Sequence, residues 1–291
     1  MGNVRGLLGG QSGPLEESGH FNVSIVVPVL NHSQDLDSQL QRAAAWAKQL
    51  SWTIELVLVD DRSGRRIEEA AVRWRRHFAG FQIAKHEKRR GPGHAARTGL
   101  ITARGQYVVV VDPSVSTPIE NATPLIETLA RGADVAVTSR PRRGEVDAQT
   151  RPFLERAAET TFVAMTKILC PVGVRDTLCG LIAFRRRAAR KIAERSQVSG
   201  SAFTIEWLAV AEWLGFQSTE CPQRWVSRTS RPHAMLSAAQ APSVVRDLMR
   251  TRKRMSVKSL AGPAPSKELL SETSFTKFDG AKMASGMARQ R

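Results

Sequence analysis

The chain has 291 residues, of which 42% are hydrophobic and 24% charged. That is enough for one large core or two small ones, and it excludes a wholly disordered or fibrous protein. Lys and Arg outnumber Asp and Glu by 43 to 27, a formal charge of +16, so a polyanionic partner is expected unless genomic base composition alone has enriched arginine.

Residues 1–20 are Gly-rich, lack the apolar centre of a secretory signal and are expected to be disordered. Phe21–Pro28 reads as a buried strand, stopped by Pro28 and a turn at Asn31. Leu36, Leu40, Ala43, Ala44 and Ala47 recur at helical spacing, predicting a helix over 34–50. A second strand over 54–59 is closed by Asp60 and Asp61. Helices over 65–78 and 94–103 flank a third strand at 81–86. The fourth strand, over 106–111, runs into Asp112. After a helix begun near Pro118, residues 133–138 form the fifth. Short, continuously apolar strands separated by helices imply a parallel sheet covered on both faces. Ligands of such sheets bind beyond the strands' carboxyl ends. Here those ends carry Asn31, Asp60-Asp61 and Asp112. One polar strand end is ordinary turn chemistry; three in succession indicate a cleft.

Beyond residue 140 the pattern is less regular. It predicts a helix over 152–169, a short strand over 181–184, a helix over 203–214 ended by Gly215, and strand candidates at 216–220 and 224–227. Residues 240–254 read as a basic amphipathic helix. Val244, Val245, Leu248 and Met249 lie on one side, with Arg246, Arg250, Arg252, Lys253 and Arg254 around it, a pattern suited to anionic lipid. One domain is expected over 21–250, then a basic, disordered tail over 251–291. Cys170, Cys179 and Cys221 show no C-x-x-C spacing, which fits reduced thiols, and Cys179 is read as a small buried hydrophobe. No apolar run approaches the roughly 18 residues of a membrane span. A cytoplasmic protein is expected, peripheral at most on the inner face of the membrane. A nucleic-acid partner has no motif behind it. Gly91-Pro92-Gly93 is either a phosphate cradle at a helix start or a plain turn. Trp207, Trp213 and Trp225 are assigned to packing. His77, His86 and His94 share no metal-ligand spacing and are assigned to the surface or to helix caps.

Seven stretches occur in an order that points to a family: VSIVVPVLNHSQDL, LVLVDDRSGRR, RRGPGHAARTGLITARGQYVVVVDPSVSTP, VTSRPR, GVRDTLCGLIAFRRRAA, FTIEWLAVAEWLGF and CPQRWVSRTSR. Over about 21 to 250 the chain resembles the family 2 glycosyltransferases of GT-A fold. It is most similar to the dolichyl-phosphate glucosyltransferases and their mannosyltransferase relatives. The resemblance implies a single α/β domain, Rossmann-like, with a mostly parallel sheet. It also implies transfer of a hexose from a nucleotide diphosphate sugar, UDP-linked first, to a polyprenyl phosphate or another phosphorylated or small acceptor. It implies catalytic positions at Asp112, Ser114, Arg140 and Asp176, and nucleotide contacts at Pro28, Leu30, His32, Asp60, Asp61, Arg89 and Arg97. Phosphate or acceptor contacts are implied at Ser139, Arg140, Arg151 and Arg231, where a guanidinium fork suits phosphate. A phosphate acceptor is already an oxyanion near neutral pH, so no dedicated general base is required.

The chain departs from the family pattern at the site itself. The family motif D-A-D reads Asp112-Pro113-Ser114, which leaves Asp112 as a weak metal ligand for Mg2+ or Mn2+, because a hydroxyl replaces a carboxylate poorly on a hard cation. His32 stands for a glutamate, Arg62 for a glycine, Arg89 for an asparagine and Thr204 for an aspartate. A divergent transferase is expected. The alternatives are an enzyme of the same fold that works without a metal, as in specialised metabolism, and a non-catalytic nucleotide-binding protein.

Overall fold

Ile54–Asp60 is buried at every residue, as a strand with helices on both sides must be. The computed structural model describes residues 21–30, 36–64, 67–111, 117–139, 161, 164–170, 172–177, 180–223, 241–256 and 273–279. His32, Asp112, Ser114, Arg140, Arg151, Cys179, Trp225 and Arg231 lie outside them. So do most of the helix expected over 152–169 and the strand candidate at 224–227.

The strands are β1 (Phe21–Val29), β2 (Ile54–Asp60), β3 (Gly80–His86), β4 (Gly105–Val111), β5 (Val135–Ser139), β6 (Leu181–Arg185), β7 (Ser218–Pro222) and β8 (Thr273–Asp279). They form one sheet in the order β7-β5-β6-β4-β1-β2-β3-β8. β6 runs antiparallel to β4 and β5, and β8 antiparallel to β3, while the other pairings are parallel. Successive side chains of β1 enter different cores. Ile25 and Val27 pack among residues of α1 (Leu36–Gln49), α2 (Ile67–Trp74) and α4 (Ala122–Ala130). Val26 packs on the opposite face with residues of α3 (Pro92–Thr102), α5 (Arg186–Arg195), α6 (Phe203–Trp213) and α7 (Ala241–Ser256). Helices therefore cover both faces, as the pattern of apolar runs predicts.

Pro28 does not stop β1. It pairs within the strand, opposite Val59, and Val29 pairs with Asp60. Helix α5 has no counterpart in the sequence reading. Its arginines mask a narrow stripe of Ala188, Ala189, Ile192 and Ala193, all buried, too small a set to stand out as an apolar period. Within the tail expected to be disordered, two stretches are described and both are regular. Helix α7 continues to Ser256 with Thr251 buried, and Thr273–Asp279 pairs with β3 residue by residue. A lone Ser/Thr/Lys-rich strand carries little hydrophobic signal when its stability comes from ladder hydrogen bonds to an existing edge. Trp207 is fully buried between Phe184 and Phe203, with ring centroids 5.6 and 4.9 Å away. Trp213, also assigned to packing, is instead 40% exposed.

At the amino edge, the buried Glu55 ties three strands together. It accepts Ser24 Oγ at 2.5 Å, Arg104 Nε at 2.7 Å and Gln82 Nε2 at 3.3 Å. Helix α3 lies directly on β1, because a Cβ on Gly99 would stand 2.1 Å from Val26 Cγ1. Gly99→Ala is expected to cost about 1–3 kcal/mol through overpacking, read as a lower urea midpoint at unchanged slope.

Candidate active site

The strand order reverses at β1, with β2 and β3 on one side and β4, β6 and β5 on the other. A crevice opens at such a switch point beyond the carboxyl ends. Val29 pairs with Asp60 and Asp60 with Lys85, so Leu30, Asp60 and the turn after His86 share one rim. β4 reaches the same rim at Val111, one residue before Asp112, and β6 enters it at Leu181, opposite Val111. β5 leaves at Ser139, opposite Pro222. The segment 172–177 carries Asp176 towards the start of β6. Its backbone is held by two carboxylates that the sequence reading did not single out. Glu220 Oε1 on β7 accepts the Arg175 and Asp176 N–H groups, the latter at 2.9 Å, and Glu212 Oε2 accepts Gly173 N–H at 3.0 Å. Asp176 is 9% exposed.

The two adjacent acids at the end of β2 have different surroundings. Asp60 is 9% exposed, and its Oδ1 accepts Ser63 N–H at 2.8 Å, which closes the turn after β2. Asp61 is 1% exposed. Its Oδ1 meets Arg90 N–H at 2.8 Å and His86 Nδ1 at 2.9 Å, and its Oδ2 accepts Gly91 N–H at 2.7 Å. Burial pushes the Asp61 carboxyl up, but the bonds from His86, Arg90 and Gly91 outweigh it and hold the group below the usual carboxylate range. Asp61 therefore joins the ends of β2 and β3, and Asp60 stands beside it at the end of β2.

His86 overturns its assignment to the surface. It is 4% exposed, and its Nε2 lies 2.9 Å from Thr98 Oγ1 of α3. The alternation of β3 hides this, because His86 ends the strand and only tertiary packing decides which way it faces. Gly91-Pro92-Gly93 is the turn, not the cradle. The Arg90 and Gly91 N–H groups go to Asp61, and Gly93 N–H donates to Ser199 O at 2.9 Å.

Arg97 is not at the rim. It is 7% exposed, and its Nε donates to Ala193 O at 2.8 Å, on the face covered by α5. Burial, then the nearby Arg254, lowers its pKa, while Glu206 opposes that fall. Glu206, fully buried on α6, accepts Gln197 and Val198 N–H groups at 2.9 Å and Arg254 NH2 at 2.7 Å. Thr204, where the family has aspartate, is buried with no hydrogen-bond partner for its hydroxyl. Pro28 is buried within the sheet, whereas Leu30 is half-buried and Arg89 exposed on the rim; Ser139 ends β5 buried.

His94, half-buried on α3, accepts Arg90 NH1 through Nε2 at 3.1 Å, and its ring packs edge-on against His86 at 5.1 Å. Burial, then the neighbouring His86, Arg90 and Arg97, pushes its pKa down from 6.5 to about 4. The unfolded chain therefore binds this proton first, and stability falls as pH drops from about 6.5 towards 4. His94→Gln is expected to flatten that slope in urea midpoints taken between pH 7.5 and 4.

Among the described residues, no three His, Cys, Asp or Glu side chains gather as a metal site. Asp112 and Ser114, where the motif leads one to expect a divalent cation, lie outside the described residues. One carboxylate completed by phosphate oxygens of a bound nucleotide is a coordination that Mg2+ accepts.

The model of the family described as Glycosyl transferase family 2 matches residues 24–193, more than half of the chain. The dolichyl-phosphate beta-glucosyltransferase of Drosophila melanogaster is 29% identical over 224 residues, covering 72% of this chain and 69% of that protein. The human protein of the same description is 24% identical over 220 residues, covering 70% and 67%. An undecaprenyl-phosphate 4-deoxy-4-formamido-L-arabinose transferase of Pseudomonas fluorescens (strain SBW25) is 32% identical over 171 residues, covering 56% of this chain and 47% of that one. Among solved structures, glucosyl-3-phosphoglycerate synthase from Mycobacterium tuberculosis in complex with Mn2+, UDP and glucosyl-3-phosphoglycerate shares the fold. It superposes with a TM-score of 0.57 at 17% identity, over 81% of this chain and 80% of that one.

Proposed function

The chain belongs to glycosyl transferase family 2, and we propose that it transfers a hexose from a nucleotide diphosphate sugar, UDP-linked first, to a polyprenyl phosphate. The rim at the switch point carries this reading, since Leu30, Asp60, the turns after β2 and β3 and the carboxyl end of β4 lie side by side there. The relatives described as dolichyl-phosphate and undecaprenyl-phosphate transferases support a polyprenyl acceptor, and the fold neighbour solved with UDP supports the nucleotide.

In this reading the base and ribose lie over the ends of β1 and β2, where Asp60 accepts a hydrogen bond from the base. An oxyanion of the acceptor phosphate attacks the anomeric carbon. The new C–O bond forms as the bond to the donor diphosphate breaks, and the nucleoside diphosphate leaves with the electron pair. No proton has to be removed from the nucleophile. Arg140, Arg151 and Arg231 hold phosphate oxygens, and Ser139 with Asp176 frames the acceptor side. A divalent cation bound through Asp112 and the diphosphate would add neutralising charge on the leaving group. Titration calorimetry with UDP and GDP tests the reading. UDP heat in the micromolar to low millimolar range is expected, and silence from both nucleotides at millimolar concentration would overturn it.

The lipid acceptor draws support from the outer side of α7. Met249 is 58% and Ile168 70% exposed, and Arg252 NH1 on α7 donates to Ile168 O at 2.8 Å. Arg246, Arg250, Arg252 and Lys253 are exposed on the same helix. No helix among the described residues is long and apolar enough to cross a membrane. Flotation with phosphatidylserine vesicles is expected at 0.1 M salt and should fade at 1 M, as the Debye length falls from about 10 Å to 3 Å. No flotation at either salt concentration would argue for a soluble acceptor.

A further inference from the structure

Residues 172–177 belong to no helix or strand, so their N–H groups need acceptors from elsewhere in the molecule. Two glutamates supply them. Glu212, near the end of α6, accepts Gly173 N–H at 3.0 Å. Glu220 of β7 accepts two successive N–H groups through one oxygen, those of Arg175 and Asp176, the latter at 2.9 Å. The two glutamates are not equivalent. Gly173 is exposed, so water can replace a lost acceptor there. Asp176 is buried, and losing the acceptor of its N–H is costly.

Glu220 is itself held by the sheet. It pairs with Val137 of β5, and the contact between the strands continues past it, where Gln223 N–H donates to Ser139 O at 3.0 Å. Alternate side chains of a strand point to opposite faces. Cys221 lies 3.2 Å from Thr128 Oγ1 of α4, so Glu220 stands on the other face, the one covered by α6. Val174 is buried in the core of that face with Trp207 and Leu208. Downstream, Thr138 Oγ1 of β5 accepts Leu181 N–H and donates to Leu181 O, both at 3.2 Å. The chain is thus fastened at Asp176 by Glu220 and at the start of β6 by Thr138. Leu181 lies opposite Val111, the last residue of β4, so this fastening sets what stands at the carboxyl end of the sheet.

We propose that Glu220 is a positioning residue for sugar transfer: by holding the Arg175 and Asp176 N–H groups, it fixes where Asp176 stands on the acceptor side of the rim. The inference rests on the transfer reading above, in which Asp176 frames that side. Glu220 acts through the backbone and touches no substrate. It keeps its charge while accepting these bonds, so an amide of the same shape separates the bond from the charge.

Steady-state transfer from UDP-glucose or GDP-mannose to a short polyprenyl phosphate tests it, with hydrogen exchange read at the Arg175 and Asp176 amides. Glu220→Ala is expected to speed exchange at both amides and to lower kcat about tenfold, as a misplaced group does. KM for the donor should stay within about threefold, because the nucleotide lies over β1 and β2. Glu220→Gln keeps the acceptor oxygen without the charge and should hold kcat within about threefold of wild type. Glu212→Ala, which frees one exposed N–H, should stay within about twofold. In an Asp176→Ala background, adding Glu220→Ala should change kcat by less than about twofold, since its effect passes through Asp176. A loss of equal size in both backgrounds marks a structural role and overturns the proposal. So does a Glu220→Gln variant as slow as Glu220→Ala, or a Glu220→Ala variant with wild-type kcat or wild-type exchange. Each of these leaves the transfer reading intact, whereas a wild type that transfers hexose from neither donor overturns both.

Discussion

Asp61→Ala is expected to lower stability by about 3–5 kcal/mol, the scale on which losing one partner of a buried charged network is felt. Three donors lose their acceptor at once: His86 Nδ1 and the N–H groups of Arg90 and Gly91. Two of these are backbone groups at the start of α3, and a buried unpaired N–H is costly in itself. Against a total stability of roughly 5–15 kcal/mol, the loss should be visible as a large fall in urea midpoint. UDP affinity should fall with it, because the turn carrying Arg89 and Arg90 is no longer tied to β2. His86→Gln tests the same network more gently, at about 1–2 kcal/mol, since a side-chain amide can still donate to Asp61. If Asp61→Ala cost less than about 1 kcal/mol, these bonds would not be what joins the two turns. Acid acts in the same direction as the substitution. The depressed Asp61 pKa means that its contribution is complete above the ordinary carboxylate range and is lost as pH falls through the folded-state value.

The sequence disclosed the sheet far better than it disclosed the wiring at its rim. β2 and β4 carry runs of four or more apolar residues and β1, β3 and β5 shorter or interrupted ones, and helices α1 and α3 follow from spacing and punctuation alone, because burial on both faces leaves few other arrangements. Asp60 and Asp61 were equally plausible ligands on the page. What separates them is which carboxylate turns inward, and that depends on His86 and the turn before α3, some 25 to 30 residues away. The direction of Arg97 is hidden for a related reason. Its motif position is specific, but the helical face it occupies points to Ala193 and the α5 side, and motif order alone carries no such direction. Glu206 had a usable signal, the glutamate within FTIEWL, yet its role as acceptor for Gln197, Val198 and Arg254 arises only where α6 and α7 meet. Arg62 is the reverse case. The glycine that the motif leads one to expect is absent, and arginine stands there at a positive φ of 54°, which sequence alone does not disclose.

The largest functional effects are expected at the end of β4. Asp112→Ala should reduce sugar transfer to about the level that EDTA leaves in the wild type, because an anionic carboxylate acts on an anionic leaving group only through the cation it holds. Ser114→Asp is the instructive counterpart. A hard cation binds in proportion to the charged oxygen ligands offered to it, so a second carboxylate should tighten Mn2+ binding roughly tenfold and raise turnover with the metal present. The wild type should be only partly inhibited by EDTA, because the arginines of the rim already neutralise part of the diphosphate. Arg89→Ala should then deepen the inhibition by EDTA, while Ser114→Asp should make activity more dependent on the metal. Turnover of a nucleotide sugar onto a short polyprenyl phosphate, measured for wild type and the three variants with EDTA or Mn2+, checks each step. Wild-type activity abolished by EDTA would show that Asp112 and the diphosphate hold an indispensable cation. An Asp112→Ala variant as active as wild type would remove the end of β4 from the reaction altogether.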